Sequence, residues 1–253
     1  LLAGKRGREA LHSIPSPELT VAGCTVRTCQ LDALIVQTVR NQLIDTVVNL
    51  GAGLDMRPYR LPLPPDLRWI ELDHAEILSY KRRLLSGRPI CPVEALALEL
   101  TDPDARSEVF RQIGFEARHL LVITEGLLVY FTAAEVATIA RDLRGIAQQR
   151  WWLTDIVSPF ALELMRSGQV GEPRDNELEL IFAPAEGAYF FRAWGWEPER
   201  VLWGLDEAER LRRWFIPEEL WSARLSLRDR QTLQKLFAAV KLNGNRSQQE
   251  SLP

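Results

Sequence analysis

The sequence predicts an α/β protein with a mostly parallel, seven-stranded sheet and helices on both faces. Three observations carry this. Short apolar, β-branched runs alternate with stretches of helical periodicity. The clearest run, Thr46-Val47-Val48-Asn49-Leu50, stops at Gly51, as a buried strand feeding a glycine turn does. The 253 residues, 46% hydrophobic and 26% charged, suffice for one large domain whose core needs no disulfide or metal staple.

Leu1–Leu11 reads as the tail of a helix, and the first residue is Leu rather than Met, so a preceding segment is expected to be missing. Ser13–Pro17 reads as a loop, because each proline pushes its predecessor out of the helical region. Leu31, Leu34, Ile35, Val39 and Leu43 fall at helical spacing and predict a helix over Val26–Leu43. After the strand at Thr46–Leu50 come a strand at Leu67–Leu72, a helix at Ala75–Leu85 and a strand at Val93–Leu98. A helix at Ala105–Ile113 leads into a strongly buried strand at Leu120–Thr124. Thr132 and Glu135 have capping-box spacing and open a helix over Ala133–Gln148. Trp151–Ile156, Val201–Trp203 and Ala238–Leu242 complete the strands, and the polar tail 243–253 is expected to be disordered. Seven of the eight tryptophans lie between Trp151 and Trp221, which fits either packing of the last third or an aromatic wall over a site.

Composition removes several classes of function. The net charge of −3, with basic residues scattered, gives no nucleic-acid footprint. No run of about 20 apolar residues suggests a membrane span, and no secretory signal is visible. Cys24, Cys29 and Cys91 lack paired spacing and suit a reducing cytoplasm. His12, His74 and His119 are too few and too separate for a metal cluster, so no metal is expected.

The chemistry starts at Gly51-Ala52-Gly53. Two glycines after a strand let a ligand's polar group approach backbone N–H groups. A dinucleotide turn places a third glycine where this chain has Met56, which counts against NAD or FAD. Asp73 lies 20 residues beyond Gly53, one strand–helix–strand unit on, where a carboxylate can accept both ribose hydroxyls of an adenosine. The alternative is an acid capping the helix that starts near Ala75.

Val48-Asn49-Leu50-Gly51-Ala52-Gly53-Leu54-Asp55-Met56-Arg57-Pro58-Tyr59-Arg60-Leu61 resembles the signature of the leucine carboxyl methyltransferase family. Arg27-Thr28 with Leu31-Asp32, Glu71-Leu72-Asp73 with Lys81, and Thr124-Glu125-Gly126-Leu127-Leu128-Val129-Tyr130 resemble further family segments in the same order. The resemblance runs from Arg27 to Tyr130 and continues weakly through Phe182–Trp196. It implies a class I methyltransferase-like (Rossmann-like) fold with S-adenosylmethionine as cofactor.

By that resemblance Arg27 grips the cofactor carboxylate, Gly51 and Gly53 flank the methionine part, and Asp73 holds the ribose. Glu99 stands where the family usually has Asp and would meet the adenine amino group, with Leu100 packing on the ring. Glu125 lies near the ammonium. Tyr130 could orient an acceptor or simply pack, and no base is assigned. By the same resemblance, the family's first helices, which help cover the site, are expected to be largely missing from this stretch of sequence.

The expectation is a single domain, with a helical cover over 1–45 and a core over 46–242. It would methylate a carboxylate or hydroxyl oxygen of a small organic molecule. Alternatives are carboxyl methylation of a protein C-terminus, a silent S-adenosylmethionine-binding protein, or an NAD-type oxidoreductase. Neither nucleic acid nor membrane is an expected partner; a cytoplasmic monomer is favoured.

Overall fold

The computed structural model describes residues 4–13, 16–146, 149–167, 179–216, 231–233 and 235–244. Seven strands form one sheet: β1 (Thr46–Leu50), β2 (Arg68–Asp73), β3 (Val93–Ala97), β4 (Leu120–Thr124), β5 (Gln149–Val157), β6 (Glu197–Trp203) and β7 (Phe237–Asn243). Their order is β3-β2-β1-β4-β5-β7-β6. The first five run parallel, and β7 lies antiparallel to both β5 and β6. The expected mostly parallel sheet is therefore present, with its antiparallel part confined to the final pair.

The sheet is apolar on both faces because helices cover both. Val48, Leu50, Ile70, Leu72, Val122 and Trp152 point into one core cluster. Val47, Trp69, Leu121, Ile123 and Leu153 point into the other. The first face is closed by α5 (Pro103–Glu116), α6 (Ala133–Gly145) and a 3-10 turn at Gly187–Trp194. The second is closed largely by α2 (Pro17–Asn41), through Leu31, Leu34, Ile35 and Val39. By length and hydropathy α2 is apolar enough to cross a membrane. Here its apolar side packs on the sheet, and it carries Arg27 and Asp32 into a charged cluster.

Several boundaries differ from expectation. The helix expected from Val26 starts at Pro17, whose fixed φ and missing N–H suit a first helical turn. Ser13 ends α1 (Gly4–Ser13) and Pro17 opens α2, so the expected loop shrinks. The helix expected to reach Gln148 ends at Gly145. Asn243, expected to begin the disordered tail, is instead the last residue of β7 and pairs with Trp151 of β5. Residues 245–253 lie outside the described residues. The Thr132–Glu135 capping box is present as expected.

Of the two readings of the tryptophans, the described residues favour packing. Trp152 meets Phe191 and Trp196 edge to face, with ring centroids 4.9 and 5.5 Å apart. The Trp196 indole N–H donates to the Ala140 carbonyl at 3.0 Å. Trp221 lies outside the described residues.

Candidate cofactor and acceptor site

Strand register assembles the site. Leu50 pairs with Leu72 and with Thr124, and Thr124 pairs with Thr154. The next residues, Gly51, Asp73, Glu125 and Asp155, therefore lie side by side at the carboxyl edge of four adjacent parallel strands. Ligands of open α/β sheets bind outside that edge, where the chain reverses its order of laying down strands. Here that point is β1, flanked by β2 and β4.

The turn after β1 needs its glycines. Gly51 has φ +62°, and a Cβ there would lie 2.7 Å from Leu127 Cδ1. Gly53 has φ +49° and donates its N–H to Asp73 Oδ2 at 2.6 Å. Asp73 Oδ1 accepts from the His74 N–H at 2.7 Å. Asp73 is thus tied to the glycine turn rather than capping the helix that follows it, α4 (Ala75–Leu84), whose first turn receives no side-chain cap. Each oxygen keeps a lone pair for a ligand.

Glu71 and Lys81 of the same segment have a different task. The Lys81 ammonium donates to Glu71 Oε1 at 2.7 Å, and both are buried. The pair pins α4 to β2. Burial pushes the Glu71 carboxyl up, against the pull of Lys81.

A charged cluster fills the other end of the cleft. Its centre is Arg57, which opens the single-turn helix α3 (Arg57–Arg60) and is 3% exposed. It donates through Nε to Asp32 Oδ1 at 2.7 Å, through Nη1 to Asp55 Oδ2 at 2.9 Å and through Nη2 to Glu125. Asn49 and the Arg57 backbone N–H steady Asp55, each at 2.8 Å. Arg60 grips Asp32 with two N–H groups. Arg27 donates Nε to Glu125 Oε1 at 3.1 Å and reaches Asp155 Oδ2 with Nη1 at 3.4 Å. The Thr28 hydroxyl donates to Glu125 at 2.9 Å, and the Gly126 N–H to Asp155 Oδ1 at 2.7 Å.

Three guanidinium groups thus face four carboxylates, an excess of one negative charge. Burial alone would raise the Glu125 carboxyl, but Arg57 and Arg27 hold it below its ordinary range. Asp155 goes the other way: burial pushes it up and outweighs Arg27 and the Gly126 N–H. Burial also works against the charge on both arginines, yet the surrounding carboxylates hold Arg27 and Arg57 more firmly protonated than usual.

The structure brings Arg27, Gly51, Gly53 and Glu125 around one cleft, with Asp73 bonded to its glycine turn. Glu99 stands apart and half exposed, bonded to the Thr101 N–H and hydroxyl. Leu100 is buried in the core with Leu98. Tyr130 sits half-buried in a 3-10 turn at Leu128–Tyr130 and is not among the side chains around the cleft. Sequence reasoning missed Asp32, Asp55, Arg57 and Asp155 as site residues. Asp155 had a legible signal, an acid at the carboxyl end of a predicted buried strand. Arg57 had none, since two of its partners lie 25 and 68 residues away.

The strand order, with an antiparallel β7 between β5 and β6 and a cleft over β1, defines the class I methyltransferase fold. The chain belongs to the leucine carboxyl methyltransferase family, whose profile matches residues 4–144. A protein of Mycobacterium sp. (strain KMS), provisionally named an S-adenosyl-L-methionine-dependent methyltransferase, is 31% identical over 165 residues, covering 60% of this chain and 54% of its own length. The chain thus spans about half the length of the curated relatives it matches. The magnesium protoporphyrin IX methyltransferase of Synechocystis PCC 6803, solved with bound S-adenosylhomocysteine, shares the fold at TM-score 0.54 and 12% identity, with 96% of each chain covered. A DUF574 family protein from Streptomyces avermitilis MA-4680 superposes at TM-score 0.57 and 12% identity, covering 94% of this chain and 89% of its own.

Proposed function

We propose that this chain binds S-adenosylmethionine across the carboxyl ends of β1, β2 and β4 and transfers its methyl group to an oxygen of a small organic molecule. The observation that carries this is the meeting of the glycine turn with Asp73 at one end and the Arg27–Arg57–Glu125 cluster at the other. The residues suit the ligand. Asp73 is already oriented by two N–H groups and can accept ribose hydroxyls. Gly51 leaves no room for a side chain beside Leu127, so the backbone itself forms the floor. The cluster's single negative excess matches the net single positive charge of a sulfonium amino acid.

When bound, the sulfonium supplies an electrophilic methyl group. The chain's own part is alignment: Arg27 faces the cofactor carboxylate with the N–H groups its acids leave free, and Glu125 faces the ammonium. Glu99, which stands apart and more exposed, would meet the adenine amino group. Orientation of this kind can contribute on the order of 7–11 kcal/mol to a displacement in favourable cases.

Calorimetry tests the reading. S-adenosylhomocysteine should bind with micromolar affinity, roughly −7 to −8 kcal/mol, while NAD, NADP and ATP give no heat. Heat from a dinucleotide and none from S-adenosylhomocysteine would reject it.

A further inference from the structure

A second groove opens beside the cofactor cleft. Leu19, Met165, Phe215, Ile216, Leu236 and Phe237 contribute to its walls, which come from α2, α7 (Pro159–Arg166), the loop residues Phe215 and Ile216, and the residues that lead into and start β7. Among the described residues its charged lining is Arg27 and Asp155, and Arg27 also lines the cofactor cleft. The guanidinium is therefore the partition between the two spaces. An apolar groove with a carboxylate in its lining, next to the place where a methyl donor would lie, has the form of an acceptor site.

We propose that this groove receives the methyl acceptor, an apolar molecule carrying a neutral hydroxyl, and that Asp155 takes the proton of that hydroxyl. The proposal rests on the S-adenosylmethionine reading above and narrows it from any oxygen to a hydroxyl.

The charge in the groove's lining makes this choice. A carboxylate acceptor would have to lie against Asp155, with Glu125 on the far side of Arg27, and like charges in a poorly solvated site repel strongly. Arg27 offers it little relief, since Glu125 and Asp155 already engage the guanidinium and the N–H groups they leave free serve the cofactor carboxylate in the reading above. A hydroxyl instead donates to Asp155. Oδ1 is occupied by the Gly126 N–H at 2.7 Å, while Oδ2 meets Arg27 Nη1 at a long 3.4 Å and, as a carboxylate oxygen, can accept a further donor. Burial raises the Asp155 carboxyl, which makes it a stronger base than an exposed aspartate.

In the step, the acceptor O–H bond breaks and its proton passes to Asp155 Oδ2. The oxygen's electron pair forms the C–O bond as the S–CH3 bond of S-adenosylmethionine breaks onto sulfur. The products are a methyl ether, S-adenosylhomocysteine and a neutral Asp155, which returns its proton to water.

The test is binding, read by fluorescence titration of 2-naphthol and 2-naphthoate into protein loaded with S-adenosylhomocysteine. Wild type should bind 2-naphthol about tenfold or more tightly than 2-naphthoate, a difference of about 1.4 kcal/mol. Asp155→Asn keeps the shape and an acceptor for Gly126, and should erase that preference by admitting the naphthoate. Thr20→Trp, at the groove wall and away from the charged cluster, should weaken both probes. Equal affinity for the two probes in wild type, an unchanged preference in Asp155→Asn, or binding of neither probe overturns the proposal. S-adenosylhomocysteine affinity, measured first, separates the failures: its absence rejects the cofactor reading, and its presence without a naphthol preference rejects the acceptor assignment alone.

Discussion

Beneath α2 three guanidinium groups and four carboxylates crowd together and satisfy one another, whereas Asp73, at the end of β2, and Glu99, apart from the cleft, are held mainly by backbone N–H groups and by Thr101. The first end is built at the cost of desolvation: Arg57 is 3% exposed, and its three acids are 10–17% exposed. The second end is wetter, with the Glu99 side chain 52% exposed. Under the proposed function the two ends divide the work. The mutually paired cluster would fix where an amino acid's charges and its reacting methyl lie, and the looser end would have only to hold a sugar and a base, whose position tolerates more variation.

Breaking the crowded end should have the largest effect. Arg57→Ala leaves Asp32, Asp55 and Glu125 without their shared cation, and removing one partner from a buried ionic network costs about 3–5 kcal/mol. Urea denaturation should show that loss without any ligand. A loss below about 1 kcal/mol would mean that the cluster is solvated in solution.

Next comes the junction of the two ends. Asp73→Ala should weaken S-adenosylhomocysteine by about 1.5–3 kcal/mol, the range for hydrogen bonds to a charged group. Because Asp73 also receives the Gly53 and His74 N–H groups, the unliganded melting temperature should fall as well. Calorimetry and thermal melts separate the two effects. Wild-type affinity in Asp73→Ala would reduce this residue to a fastener of the turn.

Acid should loosen the crowded end through Glu125. Its folded carboxyl titrates below its ordinary value, so the unfolded chain takes up the proton first as pH falls. This contribution is complete above the unfolded value, about pH 4.3 for a glutamate, and is lost as pH drops through the folded one. Stability followed by urea titration at stepped pH should therefore decline in that window, and Glu125→Gln should flatten the decline.

The smallest effect belongs to the open end. Glu99→Ala should change stability by less than about 1 kcal/mol, as exposed polar contacts usually do, and should weaken S-adenosylhomocysteine less than Asp73→Ala does.

The same contrast explains what the sequence revealed. β1 and β4 were legible because they are buried on both faces and read as almost continuous apolar runs, with Gly51 marking the turn, and β2 was legible through Leu67, Trp69, Ile70 and Leu72. Asp73 was legible through its spacing from Gly53. β6 was seen only at its end, because Glu197-Pro198-Glu199-Arg200 is largely exposed and carries no apolar pattern. The direction of β7 was invisible, since an antiparallel strand covered on both faces looks like a parallel one. Most of the charged cluster was invisible too. Arg57 acquires its role from acids on α2, on its own turn and at the end of β4, and only the fold brings these together.

The central claim is that Arg27 serves the amino-acid end of the ligand while the far end binds independently. The direct measurement is the affinity of S-adenosylhomocysteine and of adenosine for wild type, Arg27→Lys and Arg27→Ala. Lysine keeps the charge and loses the planar, two-pronged donor geometry. S-adenosylhomocysteine should weaken in Arg27→Lys and weaken further in Arg27→Ala, while adenosine, which has no carboxylate, binds all three alike. Equal losses for both ligands, or no loss for either, would contradict the claim.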